Sequence, residues 1–147
     1  MQRVFWRALA SLIFMLAMPQ AGKAITSEGN VPWAYGSCHG GADPNTFNPA
    51  TNIDATAPVY IHSRRIVLRY NRTNRCGWGK ITNGSPGDDV WVERSSNRGR
   101  TRHGKLGDER ISYGRDVHTT AYYQSKVLMR ACGKAGGRPE IVCTSWY

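Results

Sequence analysis

The chain has 147 residues, 40% of them hydrophobic and 20% charged, with 20 lysines and arginines against 10 acids and a formal charge of +10. A length of this order builds one domain rather than several. The basic balance favours anionic surfaces such as nucleic acid, teichoic acids or an acidic protein, but it fixes no fold, and it serves equally to keep a secreted protein from self-associating.

Met1 to Ala24 opens with Arg3 and Arg7, runs through an apolar segment from Ala8 to Met18, breaks at Pro19 and ends on Gly22-Lys23-Ala24. That order of basic, apolar and small-x-small segments is a secretory signal peptide. The apolar run is shorter than the roughly 20 residues a bilayer span requires, and no cysteine lies near the cut to take a lipid. The expectation is a secreted, extracellular protein starting near Ile25, with no membrane insertion once the signal is removed. Loss of residues 1–24 removes three cations and no acid from the +10 total, leaving 123 residues and a charge of +7. An N-terminal core helix is the competing reading, and the flank pattern argues against it.

Residues 25–35 show no periodicity and read as an N-terminal arm ahead of a single β domain over 36–147. Ile25, Val31, Trp33 and Tyr35 are candidate partner-binding anchors beside Pro32. An extended segment holding proline suits a central strand of its own domain poorly, whereas it can enter a groove on another protein. The alternative is an arm packed on its own sheet.

Within the domain, β signals dominate. Ile66, Leu68 and Tyr70 alternate with Arg65, Val67 and Arg69, the period of a half-buried strand. Val59-Tyr60-Ile61 precedes it, with a break at His62-Ser63-Arg64. Trp78 to Thr82 and Val90 to Glu93 flank the turn-forming stretch Asn83-Gly84-Ser85-Pro86-Gly87-Asp88-Asp89. Residues 95–115 are polar and rich in arginine and glycine, and read as a long, mobile hairpin or loop outside the sheet. There Arg98, Arg100 and Arg102 are candidate contacts for a partner or for an anionic cell-wall polymer. Nucleic acid is disfavoured, because Tyr113 is the only aromatic between Ser95 and Arg115 and base stacking needs more. Further on, Tyr123, Val127 and Ala131 share one helical face, yet Tyr122, Tyr123 and Val127 lean towards strand. A small disulfide-stabilised all-β sandwich or barrel is the expected fold.

Four cysteines, Cys38, Cys76, Cys132 and Cys143, follow the export signal. An even count in an exported chain reads as two disulfides, with three connectivities open. Cys132–Cys143 would close a local loop, and Cys38–Cys76 would tie the first segment to the domain. A metal site is not expected, since there is no CxxC pair and the four histidines show no ligand spacing. No cofactor motif is present.

Tyr35-Gly36-Ser37-Cys38, Gly41-Ala42-Asp43-Pro44, Ile66 to Tyr70 and Cys76-Gly77-Trp78-Gly79-Lys80-Ile81 follow one another in that order. The chain then closes on Arg130-Ala131-Cys132 and Cys143-Thr144-Ser145-Trp146-Tyr147. With these segments it resembles the YjfA-like family, small secreted proteins of Gram-positive and especially actinobacterial species, whose function is unknown. Members often carry one further cysteine before the Gly-Ser-Cys segment and another after Asp-Pro. Residues around Ala34 and Phe47 stand there in this chain. The resemblance therefore implies an optional disulfide lost as a unit, and with it the pairing of Cys38 with Cys76.

Catalytic signals are weak. Asp88-Asp89 sits in turn sequence, Asp43 precedes a proline, and His118 lies two residues from Asp116, a spacing that could orient an imidazole on one strand face. No GxSxG, HExxH or P-loop occurs. Trp78, Trp91 and Tyr70 read as core, and Trp146 and Tyr147 as either exposed contacts or residues pinned by the Cys143 disulfide. The expected function is a non-catalytic secreted binding module, an adaptor for an extracellular protein partner. In the actinobacterial setting that the resemblance implies, umbrella-type toxin particles contain such an adaptor between a lectin-bearing protein and a large repeat-containing toxin. A small secreted hydrolase or enzyme inhibitor and a binder of anionic cell-wall polymer are the alternatives.

Overall fold

The alternation of Ile66, Leu68 and Tyr70 is realised as an eight-residue strand, and it orders everything around it. The computed structural model describes residues 38–147; the segments expected to be a signal peptide and an N-terminal arm, including Ile25, Val31, Trp33 and Tyr35, lie outside the described residues. Ten strands follow in chain order: β1 Asn52–Asp54, β2 Val59–Ile61, β3 Arg64–Asn71, β4 Cys76–Thr82, β5 Asp89–Ser95, β6 His103–Arg110, β7 Val117–His118, β8 Tyr122–Tyr123, β9 Leu128–Lys134 and β10 Ile141–Cys143. The first sheet runs β1-β3-β4-β7, with β2 also on β3 and β8 also on β4; the second runs β10-β9-β5-β6. All pairings are antiparallel.

The inner faces of the two sheets make the core. Ile66 and Leu68 of β3, Ile81 of β4, Val90 and Val92 of β5, and Met129 and Ala131 of β9 are buried together with Ile61 and Ile111. Full burial of one such side chain is worth about 1.5–3 kcal/mol. Close approach of the sheets depends on a missing Cβ at Gly133. One built there would lie 2.6 Å from Ile66 Cδ1 and 2.9 Å from the Asp89 carbonyl oxygen.

The first sheet is covered on its outer face as well. Cys38, Phe47, Cys76, Trp78 and Ala121 form a second, smaller core, with the Phe47 and Trp78 rings edge to face at 5.8 Å. The covering segment turns twice through single 3-10 turns, Pro44–Thr46 and Pro49–Thr51, capped by the side chains of Asp43 and Asn48. Asp43 thus has the turn-capping role expected of an aspartate before proline. Asn71 ties the segment down from inside. Its amide nitrogen donates to Thr51 Oγ1 at 2.8 Å, Asn52 Oδ1 at 2.7 Å and the Asn48 carbonyl at 3.3 Å, and its oxygen accepts from Asn74 N at 2.8 Å. Val67 is fully buried although the alternation would leave it outside.

Two disulfides close the structure: Cys38–Cys76 holds the covering segment to β4, and Cys132–Cys143 links β9 to β10. The expected pairing is the one present. His62 and Ser63, with φ of 44° and 70°, turn β2 into β3, the positive-φ pair that a two-residue hairpin demands.

Residues 95–115 hold a hairpin, one of the two forms expected, but its return arm belongs to the sheet instead of standing outside it: His103–Arg110 is β6, paired with β5 across two register shifts. Leu106 is the only large apolar side chain of β6 and the only one it packs against the core, and a single inward residue makes no period-two signal, so backbone pairing forms the strand without one. Residues 122–131 carry strands and no helix, in keeping with the lean of Tyr122 and Tyr123.

Candidate functional site

The hairpin β5–β6 and the outer face of the second sheet gather the basic and aromatic side chains. Alternation along β5 turns Val90, Val92 and Arg94 inward and Asp89, Trp91, Glu93 and Ser95 outward. Buried Glu93 accepts from Arg130 Nε at 2.8 Å, and its carboxylate lies 2.7 Å from Arg130 Nη2 and 3.9 Å from Arg102 Nη1. The Arg130 guanidinium sits 4.5 Å from the Trp146 ring centre, and Lys105 Nζ sits 4.3 Å from that of Trp91. Such contacts favour a cation over an aromatic face. Trp146 is thus held against the sheet and is only partly exposed, and Tyr147 pairs its backbone with Met129.

The hairpin tip is ordered by its own side chains. Ser95 Oγ accepts from Gly99 N at 2.8 Å, and Asn97 Oδ1 accepts from Thr101 N at 2.8 Å. Arg98 and Gly99 take φ of 61° and 82°, and Gly99 rests so near Trp146 that a Cβ would come within 2.9 Å of the indole nitrogen.

Charge pairing divides the basic residues of this region. Arg110 binds Asp89 through two hydrogen bonds of 2.7 and 3.0 Å, and Lys105 meets Asp108 at 3.0 Å. The Arg110 hydrogen bonds, with the charges of Arg110, Lys105 and Lys134, hold the Asp89 carboxyl below the ordinary carboxylate range against the opposing effect of burial. Among the described residues the only acid near Arg102 is Glu93, at 3.9 Å. Exposed Arg98 and Arg100 have no ion-pair partner among the described residues, and Tyr113 is 92% exposed beyond β6. Inward-facing Arg94 is desolvated, which pushes its guanidinium down to about 10, and it lies 5.3 Å from the Tyr122 ring.

Of the candidate residues, the structure brings Arg98, Arg100 and Arg102 to one exposed edge and puts the four cysteines in disulfides. Glu93, Arg130 and Trp146, which complete the surface, were not singled out together by the sequence. Nothing in spacing joins Arg130 and Trp146 to Glu93, 37 positions earlier than Arg130.

The arrangement offers little for catalysis through His118. Its Nδ1 lies 3.0 Å from the Thr119 carbonyl and its Nε2 lies 3.1 Å from Asn45 Nδ2, so neither nitrogen is oriented by Asp116. Among the described residues one cluster has metal-like spacing: Glu93 with Cys132 and Cys143, their donor atoms within 4.8 Å. Both sulfurs are spent in a disulfide, and a metal requires thiolate.

No family model, no curated protein and no solved structure matches the chain.

Proposed function

We propose that this chain is a secreted, non-catalytic binding module that acts as an adaptor between extracellular proteins, as in an umbrella-type toxin particle. The observation that carries the reading is the β5–β6 hairpin. It contains an edge strand with six of its eight residues exposed and only Leu106 packed against the core, continuous with a tip where Arg98 and Arg100 have no acid to neutralise them among the described residues. An acidic extended segment of a partner can pair with such an edge through its backbone and meet the arginines with its side chains. An adaptor needs a second contact, and residues 25–35 supply the candidate, with Ile25, Val31, Trp33 and Tyr35 as anchors. The chain leaves the described domain at Cys38, which is fixed to β4 of the first sheet, whereas the hairpin belongs to the second. The two contacts therefore start from different sheets.

The test separates them. Tagged protein from its own culture supernatant is expected to elute in size-exclusion chromatography as part of a larger complex. Replacing Arg98, Arg100 and Arg102 with Ser should release one partner, and deleting residues 25–33 should release another, each variant keeping the partner the other loses. Elution of the unaltered protein as a free monomer, or retention of every partner by both variants, would overturn the proposal.

A further inference from the structure

The outer face of the first sheet carries a pocket that the hairpin does not use. It has a volume of about 200 Å³ and is lined by Asn45, Asn52, Arg69, Trp78, Lys80 and His118. Strand register assembles it. Arg69 stands opposite Trp78 across β3–β4, and Lys80 stands opposite His118 across β4–β7. Arg69 and Lys80 are then diagonal neighbours, about 7–8 Å apart.

Charge on this face is unbalanced. Asp54 takes Arg65 at 2.8 Å and Arg69 at 2.6 Å, one carboxylate for two guanidinium groups. The Arg69 contact uses Nη1, leaving the rest of its fork available. Lys80 makes no hydrogen bond or ion pair with the other described residues. Two positive charges are left over beside a half-enclosed surface, where low-dielectric walls concentrate the field on an incoming anion.

The amides give the pocket a polarity of its own. Asn71 accepts from Asn74 N with its oxygen, so its nitrogen must be the donor to Asn52 Oδ1. Asn52 therefore turns its own NH2 group to the open side. Asn45 gives its nitrogen to His118 Nε2, because Nδ1 of that ring donates to the Thr119 carbonyl. Its oxygen remains as an acceptor. The open groups are an ammonium, part of a guanidinium and an amide NH2, with one amide oxygen; Trp78, only 4% exposed, is part of the wall. A fully deprotonated inorganic anion has no use for the acceptor. A hydroxylated ring that carries an acidic group uses all of the open groups: acid to Lys80, Arg69 and the Asn52 amide, hydroxyl to Asn45 Oδ1.

We infer that this pocket binds a single anionic sugar residue, one bearing a carboxylate or a phosphate. The volume falls below the roughly 300–1,000 Å³ of sites for larger ligands, which limits the occupant to one ring. The site shares no residue with the hairpin and stands apart from the adaptor role.

Isothermal titration calorimetry of the folded, disulfide-bonded chain tests the inference, with glucuronate and glucose 6-phosphate as probes and glucose and inorganic phosphate as controls. At least one acidic sugar is expected to bind, ten-fold or more tighter than either control. Binding of glucuronate alone identifies a carboxylate site, and binding of glucose 6-phosphate alone a phosphate site. Lys80→Met should weaken binding at least ten-fold. Asn52→Asp keeps the oxygen that accepts from Asn71 but turns the open donor into an acid, and it should do the same with an unchanged melting temperature. Replacing Arg98, Arg100 and Arg102 with Ser should leave the affinity as it was. Absence of binding by both acidic sugars, equal binding of a control, or unaltered affinity in the folded Asn52→Asp protein would overturn it.

Discussion

The outer faces of the two sheets carry similar side chains and treat them differently. On the first, the segment from Cys38 to Asn52 lies over β3 and β4, so Trp78 is buried, and Asn71 holds the lid with its amide nitrogen while its oxygen fixes the β3–β4 turn. On the second there is no comparable lid among the described residues. Trp91 and Trp146 are covered by Lys105 and Arg130, cations over rings, while the hairpin beyond them is open. One face is closed by chain, the other by charge. A lid of chain is held by a disulfide and a buried hydrogen-bond hub, and it survives salt. A cover of cations can be exchanged for a partner's acids, which makes the second face the adaptable one.

Breaking the lid should have the largest effect. Replacing Cys38 and Cys76 with Ser opens a link spanning 38 positions, worth about 4 kcal/mol by the chain-entropy model, against about 3 kcal/mol for Cys132 and Cys143, which are 11 positions apart. Denaturant titration measures the difference, and only the first pair should also red-shift tryptophan emission by uncovering Trp78. Asn71→Ala comes next. It strands Asn74 N and the acceptors of the covering segment, at a cost of about 1–3 kcal/mol, without altering partner binding.

Acid should weaken both faces by one mechanism. Burial pushes the Asp54 carboxyl up, but hydrogen bonds from Arg65 and Arg69 outweigh it and hold the group below its ordinary value; Asp89 is lowered too, chiefly by Arg110. Both carboxylates therefore contribute stability that is complete above about pH 4–5 and is lost as pH falls through their folded-state values. Melting curves from pH 6 down to 2 should show a shallower acid limb for Asp54→Asn or Asp89→Asn than for the unaltered chain. The smallest effect on stability belongs to the hairpin tip. Replacing Arg98, Arg100 and Arg102 with Ser should move stability by no more than about 0.5 kcal/mol while abolishing salt-sensitive retention on a column of acidic polymer.

The all-β class and the inward residues Ile66 and Leu68 of β3 were legible because burial writes a period of two into sequence; Trp91 of β5, read as core, is buried instead on the outer face under Lys105. The Asp43 turn and the Asn83–Asp89 connection were legible because turns demand particular residues. β6 was not, since a strand that turns only Leu106 to the core has no apolar alternation to display, and Arg98, Arg100 and Arg102 identify a charged segment without showing that it ends a sheet. The pocket was hidden for another reason. Asn45, Asn52, Arg69, Lys80 and His118 come from four strands and a covering turn, and only register brings them together. Lys80 reads as an ordinary surface lysine until β7 sets His118 against it. His118 was noticed for Asp116, two residues away, but its partner is Asn45, 73 positions distant.

Hydrogen–deuterium exchange on the purified complex tests the adaptor reading most directly. A partner strand on the hairpin edge should protect the amides of His103–Arg110 and the tip at Arg98–Arg102, while exchange in β1, β3 and β4 stays as it is in the free chain. Protection confined to the first sheet, with β6 exchanging as freely as before, would contradict it.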